Sequence, residues 1–347
     1  MRYLYWLLLF VPVAGVLGWW LHAPATWVFL ASAAAIVPLS GVLGRATEEM
    51  ARHTGPTIGG LLNASLGNAA ELIITVVALR AGLIDLVKAS ITGSIIGNLL
   101  LVLGVSLFAG GVVRPTLRFN KQVAGVASSM MALSVTALVI PSVVEMTHPA
   151  RSAHVDLSVA VATVLIVIYA ASLLFTLRTH ARLLAAATED AQERPQWSVR
   201  RAAAALALAT VGVAAMSELL VGATEAATRG LGLTQLFVGI IVVPLVGNAS
   251  EHASAVWMAM KNKTDLAFGI AINSSMQVAL FVAPVLVFVA LALGRRMNFV
   301  FTPLEVLAVA AASAIVSIIA RDGESNWFEG AQLVAVYLIL AAAFFFY

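Results

Sequence analysis

Eleven stretches of this chain are apolar for long enough to cross a bilayer, and they leave little sequence over for anything else. They lie at about 3–21, 26–52, 56–80, 84–113, 121–145, 152–178, 198–228, 233–260, 264–293, 300–320 and 328–347. A spanning helix needs roughly 20 mostly apolar residues, and backbone polar groups in hydrocarbon must be satisfied within the segment, which favours helices. Composition agrees: 61% of the 347 residues are hydrophobic, 11% are charged, and the mean hydropathy is +0.98. The expected fold is therefore an all-α integral membrane protein with eleven transmembrane helices. The first run ends in Trp19 and Trp20 and has no small-residue cleavage site, so it reads as a retained helix rather than a signal peptide.

Connections between the runs are short and carry Pro, Gly, Asn or Arg, except for the polar segment at 178–201. That segment divides the chain into an N-terminal helix (1–25), a first five-helix unit (26–178), a linker (179–197) and a second five-helix unit (198–347). Fourteen lysines and arginines fall in loops on the side of the N-terminus and five on the other side. By the positive-inside rule, the N-terminus and linker are expected in the cytoplasm of a prokaryotic cell, the chain in its inner membrane, and the C-terminus outside. The net charge of +3 fits loop cations facing lipid headgroups better than a nucleic-acid surface.

The two units repeat each other. Residues 67–71 read GNAAE and residues 247–251 read GNASE, and a shift of 180 also aligns Asp85 with Asp265, Leu86 with Leu266 and Ser94 with Ser274. RATE at 45–48 matches GATE at 222–225, which pairs Glu48 with Glu225. Five helices per unit is an odd number, so the second copy must enter from the opposite side. Such inverted repeats are typical of secondary transporters, which hold substrate near the midplane.

Glu71 and Glu251 fall about fifteen and eighteen residues into their runs. An ionised carboxylate at that depth costs about 2.5–3.5 kcal/mol on insertion scales, so two of them call for neutralisation. The preceding glycines, with Pro244 upstream of the second, allow each helix to break and free its carbonyl oxygens. Two carboxylates, the amides of Asn68 and Asn248, hydroxyls and carbonyls form an all-oxygen shell, suited to a hard cation such as Ca²⁺. One divalent ion cancels two carboxylates, and so do two protons. A pair that takes either load but not both has the chemistry of antiport.

The following helices offer further polar groups: Ser94 and Asn98 in the first unit, and Ser274, Ser275 and Gln277 in the second. Asn98 and Gln277 are expected to bond to the facing glutamates or to water, and the serines either join them or tie helices together. Glu48 and Glu225 stand near helix ends and could gate or relay protons, with His252 a third candidate. Glu49 reads as a solvated helix-end carboxylate, and Asp85 and Asp265 as N-caps.

These residues resemble a known family. GGLLNASLGNAAELIITVVAL, GSIIGNLLLVLG and RFN in the first unit are similar to the calcium/cation–proton exchangers of the Ca²⁺:cation antiporter superfamily, as are GNASEH and SSMQVALFVAPVLVF in the second. The resemblance implies an antiporter exchanging Ca²⁺, or another divalent cation, for H⁺ by alternating access, with no cofactor. Glu71 and Glu251 would form the cation site; Asn98, Gln277, Glu48 and His252 match motif positions. Sodium/calcium exchangers of the superfamily typically carry Pro before the acidic residue, where this chain has Ala70 and Ser250, which favours protons over Na⁺ or K⁺ as counter-ion. Asn273 stands where the family usually has glycine. An acidic helix between the halves, found in some members, is reduced to a few charges around TEDAQE. The expected partners are Ca²⁺, protons and membrane lipid, and a homo-oligomer is left open. A metallohydrolase is disfavoured, because six histidines include no HExxH pair and there is no Cys.

Overall fold

The computed structural model describes residues 2–148, 154–179 and 195–347. Arg151, Arg182, Arg194 and most of the 179–197 linker lie outside the described residues. Helices dominate what is described: α1 (Trp6–Trp20), α2 (Ala25–Gly55), α3a (Ile58–Leu66) and α3b (Ala69–Arg80), α4 (Ile84–Val113), α5 (Lys121–Thr147), α6 (Val155–Thr179), α7 (Val199–Leu231), α8a (Gln235–Gly247) and α8b (Ala249–Met260), α9 (Thr264–Ala292), α10 (Pro303–Ile319) and α11 (Trp327–Phe346). Seven of these are long and apolar enough to cross a membrane, or nine if each broken pair, α3 and α8, is one span; α1 and α10 are shorter apolar helices.

The breaks follow from local chemistry. Gly55 separates α2 from α3a at φ 79° and ψ 172°, a region open essentially to glycine alone, and the next residue, Pro56, has no N–H to continue a helix. Asn68 interrupts α3 at φ −95° and ψ 24°, bending it by 42°. Asn248 interrupts α8 in the same way at φ −105° and ψ 11°. Wider π-helical turns occur at Gly97–Val102 of α4 and Val278–Val282 of α9, again about 180 residues apart.

Helix starts are capped by side chains: Asn120 for α5, Ser198 for α7, Thr234 for α8a, Thr302 with Glu305 in a reciprocal box for α10, and Asn326 for α11. The expected capping by Asp85 and Asp265 is not what is found. Both lie inside the first turn of their helices, and Lys263 holds the cap position of α9. Asp265 Oδ1 instead accepts the backbone N–H of Asn120 at 2.6 Å.

The chain divides into two compact units that do not follow the sequence halves. One comprises Met1–Ser90 and Gln192–Ser250, the other Ile91–Ala191 and Glu251–Tyr347. In the first unit, α2 packs along α7, with α3b and α8a against them. Leu39 Cδ2 lies 3.0 Å from where a Cβ on Gly212 would stand, so α7 presents a small residue at that contact. Glu49 is not solvated, contrary to expectation. It is 1% exposed, and its Oε2 accepts the backbone N–H groups of Gln196 and Trp197 at 2.8 and 3.0 Å.

In the second unit, α11 packs on α4, and α5 on α9 and α10. Gly104 and Gly330 let α4 and α11 approach at backbone distance: a Cβ on Gly104 would stand 3.0 Å from the Gly330 carbonyl. Such small-residue contacts are how helices pack where lipid gives no hydrophobic drive. The loops at one end of this unit are laced together. Leu117 and Arg118 pair antiparallel with Ser325 and Glu324, Arg118 Nε meets Glu324 Oε1 at 3.0 Å, and Arg114 Nη1 donates to the Met260 carbonyl at 3.0 Å.

Candidate functional site

Each of the two glutamates is the third residue of a half-helix that begins just after a break. The first N–H groups of a helix have no partner within it, and the helix dipole is positive there. The Gly-Asn pair therefore does two things at once: it ends one half-helix and turns the N-terminus of the next into a place that favours a carboxylate. This recurs at both motifs.

In the first unit, Glu71 is buried at 1% exposure. Asn248 of the second motif donates to its Oε2 through Nδ2 at 3.4 Å, long for a hydrogen bond to a carboxylate. Gly247 packs at this contact: a Cβ there would stand 3.8 Å from Glu71 Cα and 3.5 Å from Ile74 Cδ1, ordinary van der Waals distances. The amide of one motif thus serves the acid of the other. Asn68 and Asn248 are both 3% exposed. Thr75 turns its hydroxyl back onto the Glu71 carbonyl at 2.8 Å, a common use of Thr inside a helix.

In the second unit, Glu251 ends a chain of donors. Ser274 Oγ donates to Glu251 Oε2 at 2.8 Å, Asn98 Nδ2 donates to Ser274 Oγ at 3.0 Å, and His252 Nε2 lies 3.2 Å from Asn98 Oδ1. An amide oxygen only accepts, so His252 must carry its proton on Nε2. Every hydrogen bond then points toward the carboxylate. Asn98 and Ser274 are buried, at 1% and 5%, and Glu251 and His252 are half-buried. The sequence left Asn98 bonding to a facing glutamate or to water; here it reaches Glu251 through Ser274. It sits in the π-helical turn of α4, one turn past buried Ser94.

The other candidates divide. Ser275 ties helices together: its Oγ donates to the Ala271 carbonyl at 3.0 Å and to that of Ile95 at 3.4 Å. Gln277 is half-buried and immediately precedes the π-helical turn of α9. Asn273 is exposed on α9. Glu48 on α2 and Glu225 on α7 are exposed, and the Glu225 carbonyl accepts from Thr228 Oγ1 at 3.0 Å and Arg229 Nε at 3.3 Å.

Among the described residues, no three His, Cys, Asp or Glu gather as a metal cluster. The polar groups around the glutamates are amides, a hydroxyl and an imidazole. The sequence missed one buried polar pair altogether: Thr92 Oγ1 donates at 3.1 Å to Glu305 Oε1, and both residues are 2% exposed. Glu305 lies three residues after a Thr in front of an apolar run, a capping signal that was legible; its partner on α4 was not.

Comparison with known proteins bears on this arrangement. The sequence profile of the sodium/calcium exchanger protein family matches residues 24–178 and 201–346. The chain is 45% identical to a Ca²⁺/H⁺ antiporter of Aphanothece halophytica over 98% of this chain and 95% of that protein. It is 43% identical to the Ca²⁺/H⁺ antiporter ChaA of Bacillus subtilis, with 96% of each covered. The solved structure of YfkE superposes with a TM-score of 0.87 at 39% identity, covering 99% of both chains.

Proposed function

Because the chain belongs to the sodium/calcium exchanger protein family, and within it to the calcium/cation–proton exchangers, we propose that it is an antiporter exchanging Ca²⁺ for H⁺ across a membrane by alternating access. The observation that carries the reading at the level of residues is the duplicated carboxylate, each placed in the first turn after a helix break and each met by a polar donor: Asn248 for Glu71 and Ser274 for Glu251.

Glu71 and Glu251 are assigned to the transport cycle as the groups that take up the cation or the protons. An ionised carboxylate within a span is costly, so each transport step needs a neutralising load. Ca²⁺ neutralises two carboxylates by charge; protons neutralise them by covalent addition. A carboxyl that has taken a proton no longer offers its full charge to a cation, so the two loads displace each other and their fluxes are coupled. Asn68, Asn248, Asn98, Gln277, Ser94 and Ser274 are assigned to the polar shell that replaces water around the ion. Glu48 and Glu225 are assigned to cation and proton access.

The topology that goes with this reading is eleven spans, with two inverted five-helix repeats after α1 and the N-terminus in the cytoplasm. Its support is the recurrence at about 180 residues of the Asn break and the π-helical turn, together with the loop charge asymmetry. The absence of Cys makes single-cysteine labelling with an impermeant maleimide a clean test of each loop.

The counter-ion is tested in liposomes. Purified protein should take up Ca²⁺ driven by an imposed pH gradient, acid inside, with choline as the sole other cation. Uptake that appears only when Na⁺ or K⁺ is present would assign the chain to Na⁺- or K⁺-coupled exchange instead.

A further inference from the structure

Glu49 has an elaborate environment, and all of it belongs to one compact unit. Besides the two amides of Gln196 and Trp197 on Oε2, its Oε1 pairs with Arg52 Nη1 at 3.2 Å. Arg45 Nη2 donates to the Gln196 side chain at 3.1 Å. The Trp197 ring has the guanidinium groups of Arg45 and Arg201 against it, at 5.0 and 4.8 Å from its centroid. The Trp197 carbonyl lies 2.7 Å from His53 Nε2. Ser198 follows at once and caps α7. The last residues of the linker are therefore held on the end of α2 through backbone, side chain and ring together.

The repeat does not duplicate this device. The alignment of RATE with GATE puts Ala226 opposite Glu49 and Gly222 opposite Arg45. The polar grip exists at one end of the α2–α7 pair and has no acidic counterpart at the other. A buried carboxylate that accepts two backbone N–H groups at the foot of a capped helix fixes that helix in position and in register.

We propose that Glu49 is a positioning residue of the exchange cycle: by gripping the two amides that precede α7, it fastens the start of α7 to the end of α2, so that these two long helices move as one piece. Glu49 touches neither ion in this scheme. It acts on the rate at which the unit changes state, and leaves the affinity for Ca²⁺ alone. The inference rests on the reading of the chain as an exchanger.

The test uses the full-length protein in liposomes. Glu49→Gln and Glu49→Ala should lower the maximal rate of Ca²⁺ uptake about tenfold, the scale expected from losing hydrogen bonds to a charged group, with the KM for Ca²⁺ unchanged. A changed KM with an unchanged maximal rate would overturn the proposal. The chain has no native Cys, so Glu49→Cys with Gln196→Cys can be joined by a short bis-maleimide. Joining should restore the rate that the two substitutions remove; if joining abolishes transport, the two segments must part during the cycle and the proposal fails. Amide hydrogen exchange at Gln196 and Trp197 gives a readout independent of transport. It should speed up in Glu49→Gln by about tenfold or more, and unchanged protection would overturn the grip itself. Failure of proton-coupled uptake in the unsubstituted protein would sink the exchanger reading while leaving this last arm intact.

Discussion

Ser274 donates its hydroxyl to Glu251 across 2.8 Å and accepts the amide of Asn98 at 3.0 Å. The serine is thus the hinge of a four-residue chain that ends on the carboxylate, and its hydroxyl cannot be replaced by packing alone.

Ser274→Ala should therefore weaken Ca²⁺ uptake, chiefly by raising KM. A hydrogen bond to a charged group contributes about 1.5–3 kcal/mol, so roughly a tenfold change or more is expected. Ser274→Thr keeps the hydroxyl and should retain most of the wild-type KM. Initial rates of Ca²⁺ uptake at graded Ca²⁺ concentration measure both.

The direction of the chain separates two roles for His252. Its Nε2–H holds the Asn98 oxygen, and a side-chain amide does not readily pass a proton on. His252→Gln supplies a substitute donor and should keep the shape of the pH–rate profile with at most a modest loss of rate. His252→Ala should lower the rate across the whole profile. A displaced midpoint in either variant would instead make His252 a proton carrier.

The α4–α11 contact should be the most sensitive place in its unit to added bulk. A side chain on Gly330 would run into the Phe108 amide and the Gly104 carbonyl. Gly330→Val should destabilise by about 1–3 kcal/mol or more, since overpacking forces backbone shifts, and lower the thermal unfolding midpoint in detergent. Gly125 on α5 has open space where its Cβ would stand, so Gly125→Ala should leave that midpoint nearly unchanged.

Gly55 makes a backbone prediction. Its φ of 79° and ψ of 172° suit no L-side chain, and holding one there costs about 1–3 kcal/mol. Gly55→Ala should lower the thermal midpoint although a Cβ at that position meets nothing within 4 Å. An unchanged midpoint would mean the α2–α3a junction relaxes freely.

What could be read in advance followed from periodicity and residue type. Among the described residues each apolar run holds a helix or a broken pair, seven to nine of them long and apolar enough to cross a membrane, because apolar segments in hydrocarbon have few alternatives. The break before each glutamate was legible in Gly-Asn, though the interrupted residue is the Asn rather than the Gly. What was not legible depends on contacts distant in sequence. Glu49 looked solvated because its partners lie 147 and 148 residues away in a polar linker. Asp265 looked like a cap because the pattern cannot show that α9 already begins at Thr264, nor that the Asn120 amide arrives from 145 residues away. For Asn98 a helical face gives a direction and not a distance: facing glutamates or water were the expected partners, and Ser274 stands between it and Glu251. The division into compact units, which takes part of each half, had no signal in the sequence at all.

The central claim is that the two buried-span glutamates carry the ions. Ca²⁺ uptake driven by a pH gradient, recorded together with proton release in liposomes, tests it on Glu71→Gln and Glu251→Gln. Each substitution removes the charge that Ca²⁺ must meet while preserving side-chain size, so both fluxes should vanish together in either variant. Coupled fluxes that persist at the unsubstituted rate in either one would contradict the account.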